Sequence, residues 1–591
     1  MSTIGFDHGH ASGFTIREVF MRAISHNFLR TWVIACTISV LVCGSAFAVS
    51  YVKSPPLKNE INTRVGTVSS GPYLKVPVIT WGGDIATILA NGNSARTKSG
   101  SIFDQKGLKI ELAREDDFKN QIKAYVKGDT PFLRGTMGMI NMAADVLSRD
   151  PRTKPVIVYQ LTWSNGGDCL VVRSGIKTAR DLKGKTIALQ AYGPHVDYLA
   201  KILGDAGLTL KDVNLKWTKD LTGTDDSPAE ALLEKDVDAV MVIIPDGLML
   251  TSDGTVGTGA EGSVKGARIM MSTKTANRII SDVYAVRSDY FDANRDRVKS
   301  FVHGLLMATQ ELKDLFRNKE GRMTAYRATI GSSARILLDS AQATGDAEAL
   351  FGDCEFVEFR GNVRFFGDTK WPRNMERLAG EIQTSFMAAG LLSAKSAFTH
   401  AQWNYDDMRA GLVGIDDVES PRFKKEAVAQ VVAKKQAMGT LSEGELFSLE
   451  INFKPNQKTF PADLYSDGFH RVVELAATYG GAVITVEGHS DPNKYNKLKK
   501  NGATDIVLKR TKQAAKNLSM NRSLAVRNSI IAYAGNASVP LDESQFTVIG
   551  HGINQPKYPR PKTKEQWLEN MRVVFRIIQI EAESEAFEPL D

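Results

Sequence analysis

No Cys-x-x-Cys pair and no cluster of cysteine with histidine occurs in this chain; its 4 cysteines and 9 histidines are scattered over 591 residues. A structural zinc site is therefore not expected, since such sites draw ligands from closely spaced Cys and His. Zinc-knuckle spacing, aromatic RNA-binding motifs and a long basic arm are also missing. The net charge of +7, from 74 basic and 67 acidic residues, is small for this length, so no nucleic acid is expected as a partner. No nucleophile stands beside a base and no metal constellation is visible. No catalytic residue or cofactor is assigned, and the chain is read as a non-enzyme. Disorder-prone or collagen-like bias is lacking too: 43% hydrophobic and 24% charged residues are ordinary for globular protein.

Charge is absent altogether from Thr31 to Val52, a run sufficient for about one bilayer crossing at roughly 1.5 Å per residue. Trp32 and Tyr51 stand near its ends, as interfacial aromatics do, and Arg17, Arg22 and Arg30 precede it. The reading is a cytoplasmic tail over 1–27 and an uncleaved transmembrane anchor over 28–52, with the rest of the chain on the far side. A cleaved signal peptide is the rival, because Ala46-Phe47-Ala48 has the small-x-small form of a cleavage site. The span holds no Asp or Glu, which argues against proton conduction. Cys36 and Cys43 lie inside it; pairing of Cys169 with Cys354 stays open. Residues 53–71 are polar, with two prolines, and read as a linker.

From about 72 to 410, strand-like runs alternate with helical ones. Val76–Trp81, Leu108–Leu112, Pro155–Leu161, Cys169–Val172, Thr186–Leu189 and Ala239–Ile244 are the strand candidates. Ile85–Ala90, Asp117–Lys127, Val196–Ala206 and Pro228–Lys235 are the helices between them. This alternation predicts an α/β architecture with parallel sheets and covering helices. Ligands of such sheets sit beyond the carboxyl ends of strands, where loops present backbone N–H groups. Four loops qualify. Trp81-Gly82-Gly83-Asp84 and Gly135-Thr136-Met137-Gly138 are the first two. Trp163-Ser164-Asn165-Gly166-Gly167-Asp168 and Gln190-Ala191-Tyr192-Gly193-Pro194-His195 are the others. The cleft candidates are Trp81, Asp84, Thr136, Trp163, Asp168, Gln190, Tyr192 and His195. Trp81 and Trp163 fit a core position equally well, and His195 fits a helix start. Asp84, Asp168 and Asp246 suit an amine, and the helix N-termini suit an anion.

The stretch CLVVRSGIKTARDLKGKTIALQAYGPHVDYLAKILGDAGL (169–208) resembles type II periplasmic substrate-binding proteins of the nitrate, sulfonate and thiamine-precursor group. Asp181-Leu182-Lys183-Gly184-Lys185 matches the turn before that family's first strand of the second lobe. Residues 279–284 (IISDVY) are similar to its return to the first lobe. The resemblance implies two α/β lobes over 72–410 with a small solute in the cleft between them. Relatives that make a thiamine pyrimidine carry a cysteine-rich motif, which is missing here.

Ser420–Met438 places Ala427, Val428, Val431 and Val432 at helical spacing. It reads as a spacer helix within a 411–445 linker, stopping at Gly439. Beyond it, Phe447–Phe453, Ala482–Glu487 and the run from Phe546 read as strands. Leu464–Tyr479 and Leu518–Ala534 read as helices, and a last strand opens after Asn570. Four motifs fall in order over 446–580: Gly488-His489-Ser490-Asp491, Leu518-Ser519-Met520-Asn521-Arg522-Ser523, Gly550–Pro556, and Asn570-Met571-Arg572-Val573. In that order they resemble the OmpA-like peptidoglycan-binding domain, a βαβαβ module. The resemblance implies that Asp491 takes the ammonium of a diaminopimelate stem and Arg522 its carboxylate. Gly488, His489, Asn570 and Arg572 complete the implied site. The chemistry fits, because a zwitterion needs one fixed anion and one planar cation. Met571 replaces an arginine of the family pattern and Ser523 an alanine. Residues 492–517 fill a normally shorter connection with Lys and Arg, Asp505 being the one acid; they read as a solvated basic loop. The tail 581–591 is acidic and reads as disordered.

Together these readings describe a single-pass inner-membrane protein facing the periplasm, attached to peptidoglycan and carrying a solute-receptor-like sensor. The alternative is a structural subunit of an envelope complex, whose lobes only dock protein partners.

Overall fold

The computed structural model describes residues 49–260, 262–415, 423–439, 445–452, 460, 462–539 and 541–578. The expected cytoplasmic tail, the charge-free run up to Ala48 and the acidic tail lie outside the described residues. Among the described residues no helix is long and apolar enough to cross a membrane.

The last four residues of the charge-free run belong to the folded body, which moves the boundary drawn at Val52. Val49 is buried among Cys169, Val171 and Val240, and Val52 N donates to Trp217 O at 2.9 Å. Tyr51, expected at a membrane surface, instead donates its hydroxyl to Glu234. The stretch read as a linker also lies on this body. It contains a short helix α1 (Leu57–Glu60) whose Leu57 is buried, as is Ile61, and Gly66 N donates to Val126 O.

The first lobe contains a parallel pair, β1 (Leu74–Val78) with β2 (Ile110–Arg114), beside a larger sheet. That sheet is built from β3 (Phe132–Thr136), β4 (Pro155–Ser164), β10 (Ser281–Arg287) and β11 (Cys354–Phe356), ordered β11-β4-β10-β3, with β12 (Thr399–His400) against β4. The second lobe holds β5 (Asp168–Val172), β6 (Thr186–Gln190), β7 (Asn214–Thr218), β8 (Ala239–Ile243) and β9 (Arg268–Ser272), ordered β7-β6-β8-β5-β9. The chain crosses between lobes twice, over 165–167 and 273–280.

The expectation of parallel sheets is corrected by these crossings. β6 is parallel to β7 and β8, but β5 runs antiparallel to β8 and β9, and β10 antiparallel to β3 and β4. A chain that leaves a lobe and later returns lays its crossing strands in opposite directions, whereas only unbroken βαβ units impose parallel order. Helices α2 (Met137–Met142), α3 (His195–Asp205) and α4 (Met375–Ala389) pack together where the lobes meet. Cys169 on β5 and Cys354 on β11 sit in different lobes and are not bonded to each other.

The C-terminal module is a four-stranded sheet, β13 (Glu445–Asn452), β14 (Val483–His489), β15 (Phe546–Gly552) and β16 (Arg572–Ile578), in the order β13-β16-β14-β15. β14 and β15 are parallel and the other pairings antiparallel. The two-residue repeat of a strand decides what covers each face. Ile484, Val486, Val573 and Phe575 point into one core with α6 (Ala462–Thr478) and α8 (Asp505–Asn536). The alternate residues Val483, Ile549 and Ile578 meet Val428, Val431 and Val432 of α5 (Lys425–Met438). The helix expected as a spacer is thus a cover for the second face, because an apolar sheet face left in water costs about 1.5–3 kcal/mol per large side chain.

The insert at 492–517 also departs from expectation. It forms α7 (Asn493–Lys500), turns at Gly502 in the left-handed region with φ 73°, and enters α8, which begins thirteen residues before Leu518. From Asp505 onward no glycine or proline interrupts the chain until Gly535, so nothing stops propagation of the helix.

Candidate functional site

Two strands and one helix start of the first lobe bring charge into its interior. Arg134 on β3 is fully buried and reaches both Asp84, through Nη2 at 2.8 Å, and Asp282 on β10, through Nη1 at 2.7 Å. Thr162 of β4 donates to Asp282 and accepts from Trp81 Nε1 at 2.9 Å. Burial drives the Asp84 carboxyl up to about 6 even against the pull of Arg134. Asp84 thus stands where expected, at the start of a helix after β1, but its oxygens are spent on Arg134 and Tyr284. Trp81 is half-buried, with its ring against Gly167, where a Cβ would stand 2.6 Å from the ring.

A second constellation sits on the crossing. Asp168 accepts from Ser164 Oγ at 2.6 Å and pairs with His195 Nε2 at 2.8 Å, with His195 fully buried. Thr273, from the other crossing, accepts backbone N–H bonds from Gly166 at 3.0 Å and Asp168 at 3.1 Å. Near them Asp197, on the first turn of α3, is 3% exposed and neither carboxylate oxygen has a hydrogen-bond partner. Burial pushes it up to about 8, and Asp353 to about 7, with Asp168 adding repulsion to both. Asp197 lies against Gly138 at the start of α2, where a Cβ would come within 2.1 Å of Oδ1. The second lobe thereby touches the first with only a glycine between backbone and carboxyl.

Three expected cleft residues are otherwise engaged. Thr136 is the cap of α2, its Oγ1 accepting from Met139 N at 3.0 Å. Trp163 is core: it packs edge-on against Phe365 and Trp371 and is 2% exposed. Tyr192 turns to the segment before β1, its hydroxyl donating to Pro55 O at 2.8 Å. Gln190 remains half-exposed, beside Gly193. The structure thus brings Trp81 and Asp84 into one network and Asp168 and His195 into another. Sequence reasoning missed Arg134, Asp197, Asp282 and Asp353. The one signal for Arg134 was a cation in the apolar and small run FLRGT (132–136). As a whole the region is rich in buried carboxyls, which are either paired with Arg134 and His195 or pushed toward their neutral form by burial.

In the C-terminal module five of the six implied residues, all but Arg522 on α8, gather where β14 ends and β16 begins. Asp491 accepts from Asn493 N at 2.9 Å and from Asn570 Nδ2 at 3.0 Å. Burial raises its pKa while these two bonds lower it. Asn570 is fully buried and also donates to Tyr558 O, so it positions Asp491 rather than facing solvent. Arg572 is paired with Glu450 at 3.4 Å. Arg522 is 5% exposed, one helical turn beyond Ser519, whose Oγ accepts from Gly552 N. Gly488 is a packing residue: a Cβ would stand 2.2 Å from Ser519 O, so its small size lets α8 approach β14. His489 is 2% exposed, and burial with the nearby Arg572 pushes it down to about 3.

Glu487, His489 and His551 offer the one three-residue grouping of metal-ligand type among the described residues. Glu487 is already held by His551 at 2.9 Å and Arg576 at 2.9 Å, and the two imidazoles are stacked at 4.8 Å. Lone pairs of parallel rings do not converge on one point, and both ring nitrogens of buried His489 are without a hydrogen-bond partner among the described residues.

Residues 98–314 match the family model described as NMT1/THI5 like. With the topology above, the middle region has a mixed α/β, periplasmic-binding-protein-like fold. No curated relative matches the chain. Among solved structures, similarity extends to the periplasmic aliphatic sulphonate binding protein of Escherichia coli, at 17% identity and TM-score 0.39 over 55% of this chain and 90% of that one. The alkanesulfonate-binding protein of Xanthomonas axonopodis pv. citri, bound to MOPS, gives 16% and 0.36 over 55% and 96%. A Candida albicans protein described as having the generic periplasmic binding protein fold gives 16% and 0.37 over 55% and 92%.

Proposed function

We propose that this chain is a single-pass inner-membrane protein that faces the periplasm, grips peptidoglycan through its C-terminal module, and holds a solute-receptor-like body between membrane and wall. The observation that carries the wall reading is the bond from Asn570 to Asp491, 79 residues apart, each inside a motif that resembles the OmpA-like pattern. A carboxylate fixed from two sides needs no reordering to meet an ammonium, and Arg522 supplies the fork for the adjoining carboxylate. The decisive experiment is retention of the full chain on purified sacculi, with Asp491→Ala and Arg522→Ala beside the parent. Retention equal to the parent in both variants ends this reading.

For the receptor body, the first reading is a small solute in the cleft between the lobes. One observation supports the second reading, in which the lobes only dock a protein: Asp197 and Gly138 already close the junction with the chain's own atoms. A thermal shift across amines, amino acids and sulfonates separates the two, since a solute that binds the folded state raises its melting temperature.

A further inference from the structure

We infer that the C-terminal module is a brace on the hinge of the two-lobed body, so that lobe movement and undocking of the module are a single event. The inference rests on the two-lobed fold and on neither the wall nor any solute.

The hinge consists of the two crossings, 165–167 and 273–280, tied together at Thr273 Oγ1. Thr275, Ala276 and Asn277 in the second crossing are fully buried. The end of α6 meets that crossing with backbone bonds in both directions: Gly481 N donates to Thr275 O at 3.2 Å, and Arg278 N donates to Thr478 O at 3.2 Å. Gly481 is required by this approach, since a Cβ would stand 1.8 Å from Lys274 O. Arg471 on that helix and Tyr479 just past its end reach Asp205 at the end of α3 in the second lobe, at 2.9 and 2.8 Å. Arg278 continues into the first lobe through its ion pair with Glu355 on β11. One rigid helix end therefore holds the second lobe and the crossover together.

Hinge motion is absorbed by φ and ψ changes in a few connecting residues. Here those residues spend backbone hydrogen bonds on the module. Opening must break the pair at Thr275 and Arg278 and draw Asp205 away from Tyr479. The reverse coupling follows, because a load on the module is delivered to the crossover.

The test is hydrogen exchange on the full detergent-solubilised chain, comparing the parent with Gly481→Ala and with Tyr479→Phe. The expected result is exchange faster by at least about tenfold at amides 275–281, with β14 and β16 unchanged. Equal protection at 275–281 in the folded Tyr479→Phe protein, or faster exchange confined to the module's own sheet, overturns the brace. If Gly481→Ala does not fold, Tyr479→Phe with Asp205→Asn decides by the same criterion. No peptidoglycan or solute enters the experiment, so its outcome is independent of the proposed function.

Discussion

Tyr479 Oη donates to Asp205 Oδ2 across 2.8 Å, joining residues 274 apart in the chain, and the tyrosine is fully buried. Asp205 also receives Lys201 at 2.8 Å, so its charge stays compensated when the hydroxyl is removed. Tyr479→Phe is expected to cost about 1.5–3 kcal/mol, as for a hydrogen bond to a charged group. Urea denaturation followed by tryptophan fluorescence checks the value; an unchanged midpoint contradicts it.

Arg134 stands between Asp84 and Asp282 with no access to water. Removing one member of such a set leaves uncompensated buried charge. Arg134→Met is expected to destabilise the body by about 3–5 kcal/mol. A variant that also carries Asp84→Asn and Asp282→Asn should recover most of that loss. Thermal melting of the series reads both steps, and no recovery in the triple variant contradicts the charge argument.

Asp197 gives a pH dependence with a definite sign. Its folded pKa is raised by burial from 3.8 to about 8, so between those values the folded state holds a proton that the unfolded chain has lost. Stability contributed by this group is full below about pH 4 and is lost as pH rises toward 8. Asp197→Asn cannot ionise and is expected to flatten the fall, gaining more than about 2 kcal/mol over the parent at pH 8. Melting temperature against pH for the two proteins is the measurement. Parallel curves from pH 4 to 8 rule the effect out.

Asn570→Ala leaves the charge of Asp491 in place but removes one of the bonds that fix it. Retention on sacculi is expected to fall severalfold, less than for Asp491→Ala. Asn570→Asp, which repels Asp491, should fall as far as Asp491→Ala. Retention of Asn570→Ala at the parent's level means that positioning by this amide is not used.

Some strands of both lobes were legible because apolar β-branched runs bounded by glycine or charge leave few alternatives: Cys169–Val172 and Thr186–Leu189 emerged within one residue of β5 and β6, whereas β3, β7 and β9 had no named candidate. Strand direction was not legible, since a local run carries no trace of where the chain crosses between lobes. In the site, Asp84, Asp168 and His195 stand after strands as their sequence position implied, each in a buried polar network. Trp163 stayed open between cleft and core and Tyr192 was a cleft candidate, because side-chain direction there is set by Phe365, Trp371 and Pro55, all distant in sequence. The basic insert looked like a loop because charge reports solvent exposure rather than backbone shape, and α7 with the first turns of α8 is exposed yet helical.

That exposed hairpin carries its lysines on a stalk that contributes no buried residue until Ser519. Trypsin should therefore nick the native protein near Lys499 and Lys500, beside the turn at Gly502, long before it digests either lobe. The two halves would stay together afterwards, because β13 and β14 before the cut are laced to β16 after it. A denaturing gel would then show two fragments where gel filtration still shows one particle.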